Sequence, residues 1–458
     1  MNLPNYFLAD LPPESTLSPT MLTEACATLK RNREHYLAPR TTDQLVKFIA
    51  NVAEGWRQAD HPFRKLALAQ GPGKTGFGRA TLARGLDQFF GQLTRENLRA
   101  LLVQELGEAK RLDALVATPG EEKFSRAAIA TGPEFLVHIA AGNIPNPTLM
   151  SLVLGLLTRS AQFVKCGSGA AFLPRLFLHS IYEADHKLGA CLEIAEWPGG
   201  EAGLEDAVFA AADCVTATGS DETLAAIRAK LPWQTRFLGH GHRVSFGYVT
   251  GEALFGHGAK KIVAAAADDI VAWNQLGCLS PHVIYVQRGG ELAPEHFAQL
   301  LAEELEGREA SEPRGEVPAT VAAGIAARRG IYEVRAAHSP DTQLWHSQNS
   351  TAWTVVCEAD ASFAVSCLHR FIYVKAVTDL RNALQSADAV RGKVSTVGVA
   401  ADEAERREIT TALARWGVTR VCPLGQMQNP PLTWRHDGRP ALGDLVTWTD
   451  AEGNFFDI

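Results

Sequence analysis

The chain has 458 residues, 46% of them hydrophobic and 21% charged, which is enough to bury large cores and to divide into two or three domains. Its 44 Lys plus Arg stand against 51 Asp plus Glu, a formal net charge of −7, so no basic field is available to hold nucleic acid. No apolar run of about 20 residues occurs. The opening MNLPNYFLADLPPEST lacks the basic start and apolar stretch of a secretion signal, and a cytoplasmic protein without a membrane span is expected. The eight cysteines (26, 166, 191, 214, 278, 357, 367 and 422) are scattered, with no CxxC pair and no zinc-type spacing. They read as reduced thiols, most of them small buried apolar residues, and no metal is expected.

Residues 17–115 carry helical periodicity, as in Leu101, Leu102, Val103, Leu106, Leu112 and Leu115. Within them GPGKTG resembles the end of a phosphate-binding loop, but the earlier glycine of that motif falls on Leu68 and no buried strand precedes it. From 133 to 250 short apolar runs alternate with helical stretches. The spacing predicts strands at 135–140, 161–165, 191–197, 214–219 and 244–249, and helices at 147–158, 170–184 and 221–230. Strand and helix alternating at this interval imply right-handed crossovers and a mostly parallel, doubly wound sheet. Such a sheet binds ligands at the carboxyl ends of its strands. Further on come an Ala-rich helix (259–273), a strand (282–287), an acidic helix (293–306) and a Pro- and Gly-bearing, loop-like stretch (312–330). The tail offers strand 395–400, helix 402–416 and strand 418–423.

Several short segments carry chemistry. AAGNIPNP (140–147) is a strand-to-helix turn whose helix accepts Pro147 in its first turn. Gly142 permits a tight backbone there, and Asn143 offers an uncharged amide donor to a carbonyl oxygen. Asn and Gly also occupy turns for conformational reasons alone, and the segment does not decide between the two. Lys165 closes its strand before Cys166, Gly167, Ser168 and Gly169, placed either to reach a ribose hydroxyl or phosphate or to stand as a solvated strand end. TATGSDET puts Gly219 and Ser220 after another strand; Ser220 suits a helix N-cap, and Asp221 and Glu222 suit the positive helix end. A well-capped helix explains that segment as readily as a ligand site does. No GxGxxG fingerprint is present.

WNQLGCLSPHVIYV (273–286) ends the Ala-rich helix, and Gly277 frees the backbone just before Cys278. A thiolate held there is a competent nucleophile if dipoles or cations lower its pKa, yet the local context favours a core thiol. HGHRVS supplies His240, His242 and Arg243, with the two histidines at i, i+2 projecting to one face of a strand. Metal binding, proton shuttling and bonding to backbone all remain open for them, with no third ligand evident. MQNPPLTWRHDG packs Trp434, His436 and Asp437 into a turn-rich loop; a His and an Asp adjacent in sequence do not by themselves make a triad.

Taken in order, AGNIPNP, the FVK strand end, TATGSDET, GHRVSFG and NQLGC resemble the acyl-CoA reductase family typified by the fatty acid reductase subunit of bacterial luminescence, within the aldehyde dehydrogenase superfamily. The resemblance spans 133–290, and WPGG (197–200), RFIYV and HDG…DLVTW extend it to the carboxyl terminus. It implies an α/β, aldehyde dehydrogenase-like fold with a doubly wound, mostly parallel cofactor domain and a second α/β catalytic domain. The segments expected are a helical region (1–115), a nicotinamide cofactor domain (116–250), a domain carrying the cysteine nucleophile (251–390) and a C-terminal α/β segment (391–458).

Carried over residue by residue, the resemblance makes Cys278 the nucleophile and Asn143 an oxyanion donor together with the Cys278 backbone N–H. Lys165, with Gly167 and Ser168, would face the adenosine ribose, and Gly219 and Ser220 the nicotinamide end. Hydrolytic superfamily members carry a glutamate base in an ELGGK-like segment, where this chain reads HGHRVS. The departure suits reduction of a thioester, which must keep water from the acyl-enzyme, with His240 or His242 exchanging protons with the leaving thiol. The superfamily's later glutamate has no clear match at 366–370. The implied cofactor is NADPH, with NADH as the alternative. The implied substrate is an acyl-CoA, the rival donors being an acyl-carrier protein, an acyl-phosphate or an acylated partner enzyme. A homo-oligomer is expected, and an inactive scaffold is the alternative from another class.

Overall fold

Helices open the chain at Pro19–Asn32, Thr42–Arg57, Pro62–Thr75, Arg79–Gln92 and Arg95–Leu106, where the periodicity predicts them. Ser18, Thr41 and Thr94 cap three of these, each accepting the N–H of the third helical residue. GPGKTG runs into the end of the helix Pro62–Thr75, so no phosphate-cradling loop forms there. The computed structural model describes residues 3–12, 14–140, 142–256 and 258–453; Ala141, within the AAGNIPNP turn, lies outside the described residues. Its strands are β1 (Arg126–Thr131), β2 (Phe135–Ile139), β3 (Ala161–Cys166), β4 (Leu192–Glu196), β5 (Cys214–Thr218), β6 (Arg236–His240), β7 (Val244–Val249), β8 (Pro281–Gln287), β9 (Thr342–His346), β10 (Thr354–Glu358), β11 (Phe371–Val377), β12 (Val394–Ala400), β13 (Arg420–Pro423) and β14 (Thr447–Glu452).

One compact unit joins the residues up to Thr75, Leu86–Gly241 and those from Pro431 onward. Its sheet has the order β4-β3-β2-β5-β6 with every pairing parallel. The chain steps outward from β2 through β4 and then returns to β5, so the strand order reverses between β2 and β5. In such sheets the ligand crevice opens beyond the carboxyl ends at that reversal. Phe135, Val137, Phe163 and Val215 are buried against Leu22, Cys26 and Leu29 of the helix Pro19–Asn32. The pairing of β1 with β14 is antiparallel and brings the last strand of the chain into this unit.

The other unit combines Gly76–Gly85 with His242–Pro430. Its sheet runs β13-β12-β7-β8-β11-β10-β9, parallel except for the edge strand β9. Because side chains alternate along a strand, Ile284 and Val286 of β8 join the core under Phe297 and Leu301, while Val283 and Tyr285 join the core around Ile325 and Leu413. Both faces are covered, as a parallel sheet requires. Among the described residues no helix is long and apolar enough to cross a membrane.

Three readings of the sequence change. VSFGYV becomes β7 of the second sheet, pairing with β8 and β12 rather than with the strands before it. The place beside β5 goes to β6, whose residues are only partly buried and give no apolar run. The stretch 312–330 enters the helix Ala319–His338. Pro318 sits at its N-cap, where it breaks nothing, and Gly324 and Gly330 have open space where a Cβ would stand; these glycines weaken propensity without disturbing packing. The tail divides, with β12 and β13 in the second sheet and the residues from Pro431 in the first unit.

Candidate functional site

Three strand ends converge on the carboxyl edge of the first sheet. β2 runs into exposed Gly142 and Asn143 ahead of the helix Asn146–Leu157, with Pro147 in its first turn. β5 runs into Gly219 and Ser220; Gly219 N donates to His240 O at 3.2 Å, and Ser220 Oγ accepts from Thr223 N at 3.2 Å as the N-cap of Asp221–Lys230. β3 ends at Cys166, followed by Gly167 and Ser168. Asn143 and Gly219 therefore follow the two strands between which the order reverses.

Lys165 is only 7% exposed, with Nζ 5.6 Å from the centre of the Trp197 ring. Burial pulls its pKa below the usual lysine value, and the Glu205 carboxylate opposes that pull. Gly142 and Gly167 have nothing within 4 Å of a Cβ position, so a ligand can approach their backbone. The helix Asp221–Lys230 opens with two carboxylates, Asp221 and Glu222, which disfavour a pyrophosphate on its N terminus. A buried cation beside open glycine backbone suits the ribose end of a dinucleotide, with its phosphates seated away from that helix.

Cys278 sits in a turn just before β8 and is half-buried. Its carbonyl accepts from Ser245 Oγ at 2.8 Å, and Ser280 N donates to Gly277 O at 2.9 Å. Ahead of it, Trp273, Asn274 and Gln275 have φ values of 50°, 51° and 65°. Left-handed backbone costs an L residue about 1–2 kcal/mol, and a run of it persists only where the surroundings hold it. They do so here. Asn274 Nδ2 donates to Arg314 O at 2.8 Å, and Gln275 Nε2 donates to Pro281 O at 2.7 Å and to Phe371 O at 2.9 Å.

A second left-handed run faces the first: Leu368, His369 and Arg370 have φ values of 60°, 54° and 66°. Arg370 is fully buried and donates from Nε to Asn274 Oδ1 at 3.2 Å and from Nη1 to Glu309 Oε2 at 2.9 Å. The 366–370 segment, where the resemblance would look for a ribose-binding glutamate, thus braces the cysteine turn instead. The other thiols are held protonated: burial pushes Cys26, Cys166, Cys191, Cys214, Cys357 and Cys422 up to about 12 and raises Cys367 as well. A cavity of about 840 Å³ in this unit is lined by Tyr248, Thr250, Gln287, Asp379, Arg381 and Trp416. It lies at the carboxyl ends of β7 and β8, whereas Cys278 precedes the amino end of β8.

The two histidines of HGHRVS part company. His240 ends β6, while His242 stands between β6 and β7 and belongs to the second unit, so the pair does not share a strand face. His242 acts on His282, whose pKa burial, helped by the His242 charge, pushes down to about 4. His240 meets the HDG loop. Its Nδ1 lies 3.3 Å from Asp437 Oδ2 and 3.2 Å from Arg439 Nη2, and its ring stacks on His436 with centroids 4.3 Å apart and an 8° tilt. The three side chains of His240, His436 and Asp437 each offer a ligand atom, all within 4.8 Å of one another.

The model of one protein family, acyl-CoA reductase (LuxC), matches residues 37–448. The chain belongs to the acyl-CoA reductase family. Its relatives within that family include the long-chain acyl-protein thioester reductase of Aliivibrio fischeri, 24% identical over 424 residues that cover 90% of this chain and 83% of the relative. The enzyme of the same name from Photorhabdus laumondii is 21% identical, covering 89% and 82%. Among solved structures, a putative aldehyde dehydrogenase from Anabaena variabilis superposes with a TM-score of 0.70 at 14% identity, covering 98% of this chain and 95% of that one. A bifunctional proline utilization A protein also superposes, at a TM-score of 0.70 and 15% identity, and this chain covers 45% of its length. This member of the acyl-CoA reductase family thus has the aldehyde dehydrogenase fold.

Sequence reasoning singled out the strand-end residues and Cys278 but not the company that they keep. His436, Asp437 and Arg439 are separated from His240 by 196 or more positions of chain, and the left-handed runs have no glycine to mark them. The only local sign was Gly438 after Asp437 in HDG, a turn signal without a stated partner.

Proposed function

We propose that this protein reduces an acyl thioester to an aldehyde through an acyl group carried on Cys278. The supporting observation is the braced turn: a half-buried thiol held by strained backbone, in a chain whose other cysteines burial keeps protonated. Cys278 Sγ attacks the thioester carbonyl, and the Asn143 amide donates to the oxyanion, a contact worth about 2.7–4 kcal/mol in other enzymes. The donor thiol leaves, with His240 or His242 exchanging its proton. A nicotinamide cofactor, NADPH or NADH in its place, would supply hydride for release of the aldehyde from Cys278. Lys165, Gly167 and Ser168 would hold the adenosine ribose, and the lysine's positive charge would favour NADPH. Gly219 and Ser220 would line the nicotinamide end. The absence of glutamate from HGHRVS removes the base that would activate water.

The donor is acyl-CoA or an acyl group borne by a protein, and the names of the relatives favour the second. Cysteines that form no disulfide among the described residues suit a reducing, cytoplasmic setting, and the chain is proposed to self-associate. The test is incubation with acyl-CoA and with acyl-carrier-protein thioesters, followed by intact mass spectrometry and by oxidation of NADPH or NADH. A single adduct on Cys278, and loss of turnover in Cys278→Ala, are expected. Turnover that survives the substitution, or an adduct on another cysteine, would sink the assignment; no adduct from any donor would return the scaffold reading.

A further inference from the structure

We infer that Ser245 and Gln428 are positioning residues that fix the peptide planes on either side of Cys278 and so set the direction from which its thiol meets a thioester. The inference rests on the reductase reading for what Cys278 does; the geometry it uses lies wholly within the unit of Gly76–Gly85 and His242–Pro430. A residue has only two soft backbone dihedrals. The plane before Cys278 is held by the turn, in which Ser280 N donates to Gly277 O at 2.9 Å. The plane after it is held by Ser245 Oγ, which donates to Cys278 O at 2.8 Å. With both planes held, the Cα–Cβ direction of Cys278 is set, and only χ1 is left to aim Sγ.

Ser245 sits where both neighbouring ladders slip. Val394 and Thr396 of β12 face Val244 and Ser245 of β7, so Ser395 is extra; Pro281 and Val283 of β8 face Ser245 and Phe246, so His282 is extra. A bulge of this kind re-aims a strand and is common beside active sites, and here two flank a single residue. Pro281 has no N–H to give to the ladder. The Ser245 hydroxyl takes its place in the bonding: it accepts from Thr396 N at 3.1 Å and donates to Cys278 O. Its direction is unambiguous, because an amide N–H only donates and a carbonyl only accepts. Ser245 is fully buried, so bulk water does not compete for either bond.

Gln428 holds the other side. Its Nε2 donates to the hydroxyl of Ser280, the residue whose N–H closes the turn. The loop that carries Gln428 is itself fixed. Asp269, in the helix Gly258–Val271 ahead of the cysteine turn, accepts from Gly425 N at 2.5 Å and from Met427 N at 2.8 Å. Arg420 donates to Gln426 O at 2.8 Å and to Met427 O at 2.7 Å. Ser280 is fully buried and Gln428 is buried beside it. The rival account is that both side chains merely satisfy buried groups and stabilise the fold. It predicts variants with fewer folded molecules, each acylating normally, whereas positioning predicts folded molecules that acylate slowly.

Rapid-quench intact mass spectrometry with saturating acyl-CoA or acyl-carrier-protein thioester separates the two accounts, since its amplitude counts competent molecules and its rate constant reads each of them. Ser245→Ala should lower the rate constant about 10²-fold, the scale of a misplacement of about 1 Å, and Gln428→Leu at least about tenfold, with KM for the donor within about twofold. Gln428→Glu, which can accept from the Ser280 hydroxyl, should restore the rate. Carbonyl-carbon NMR of cysteine-labelled protein, with the Cys278 signal assigned by its loss in Cys278→Ser, reads the Ser245 bond without substrate: the signal should move upfield in Ser245→Ala, as a carbonyl does on losing a donor. Normal rate constants in the folded variants, whether or not the amplitude falls, overturn the positioning role, and an unmoved carbonyl signal overturns the Ser245 bond. Gln428→Leu leaves the Ser245 bonds intact and decides the role of the turn should Ser245→Ala fail to fold. A wild-type protein that forms no adduct with any thioester refutes the reductase reading and the effect on acylation with it, while the NMR arm still decides whether Ser245 holds the peptide.

Discussion

Arg370 Nε donates to Asn274 Oδ1 across 3.2 Å, so the left-handed turn that leads into β11 is tied to the left-handed turn that leads into Cys278. Arg370 also holds Glu309 and the Glu312 carbonyl while wholly buried. Replacing it with methionine removes a donor from the Glu312 carbonyl and the ion pair from Glu309, which is 27% exposed and keeps its bond from Arg314 N, so the cost should fall below the roughly 3–5 kcal/mol of breaking a fully buried pair. Arg370→Met should lower the urea midpoint accordingly. At a temperature where it is still folded, acylation of Cys278 should slow more than tenfold. A folded variant that acylates at the normal rate would show that the brace does not position the thiol.

Gly85 supplies a second handle on the same turn. A Cβ there would stand 2.0 Å from Trp273 Cζ2, far inside contact distance, although Gly→Ala inside a helix ordinarily stabilises by about 1 kcal/mol. Gly85→Ala should therefore destabilise, by the roughly 1–3 kcal/mol of an overpacked core, and slow acylation through the displaced Trp273. A thermal melt gives the sign, and a stabilised variant would contradict the packing described.

Glu193 makes stability depend on pH. Burial pushes its carboxyl up to about 8, against the ordinary 4.5, despite hydrogen bonds from Leu8 N and Ile194 N. Between those two values the unfolded chain has released the proton that the folded chain keeps, so stability falls as pH rises, by up to about 1.4 kcal/mol per pH unit. Glu193→Gln keeps the acceptor oxygen and removes the ionisation. Its urea midpoint should fall less steeply than that of the wild-type protein between pH 5.5 and 8; parallel curves would refute the assignment.

Asn143 and Lys165 separate chemistry from cofactor binding. Asn143 is exposed, so Asn143→Ala should leave the melting temperature unchanged while slowing acylation by about 10²–10³. Lys165→Met should keep acylation by thioester and weaken NADPH binding more than tenfold, read by fluorescence titration. Slower acylation in Lys165→Met with unchanged NADPH affinity would reverse the two roles.

The strands β2, β3, β4, β5 and β8 were legible because buried parallel strands are nearly continuous apolar runs, and Ser220 was legible as a cap because capping is local chemistry. Which sheet takes VSFGYV was not, since an apolar run carries no partner with it; β6 decided that, and its partly buried residues make no run. The site divides in the same way. Cys278, Asn143 and Lys165 stand at strand ends that local pattern marks, but Arg370 and Asp437 act on residues 96 and 197 positions away, and no periodicity reaches that far.

The first unit is assembled from separated stretches of chain, the last of them beginning at Pro431. During synthesis the second sheet has every strand once β13 has left the ribosome, whereas β1 must wait for β14 and His240 for Asp437. A nascent or truncated polypeptide ending before Pro431 would therefore present a finished turn around Cys278 without the His436, Asp437 and Arg439 neighbours of His240. The order of emergence makes the strand edge around His240 the last part of the first unit to mature.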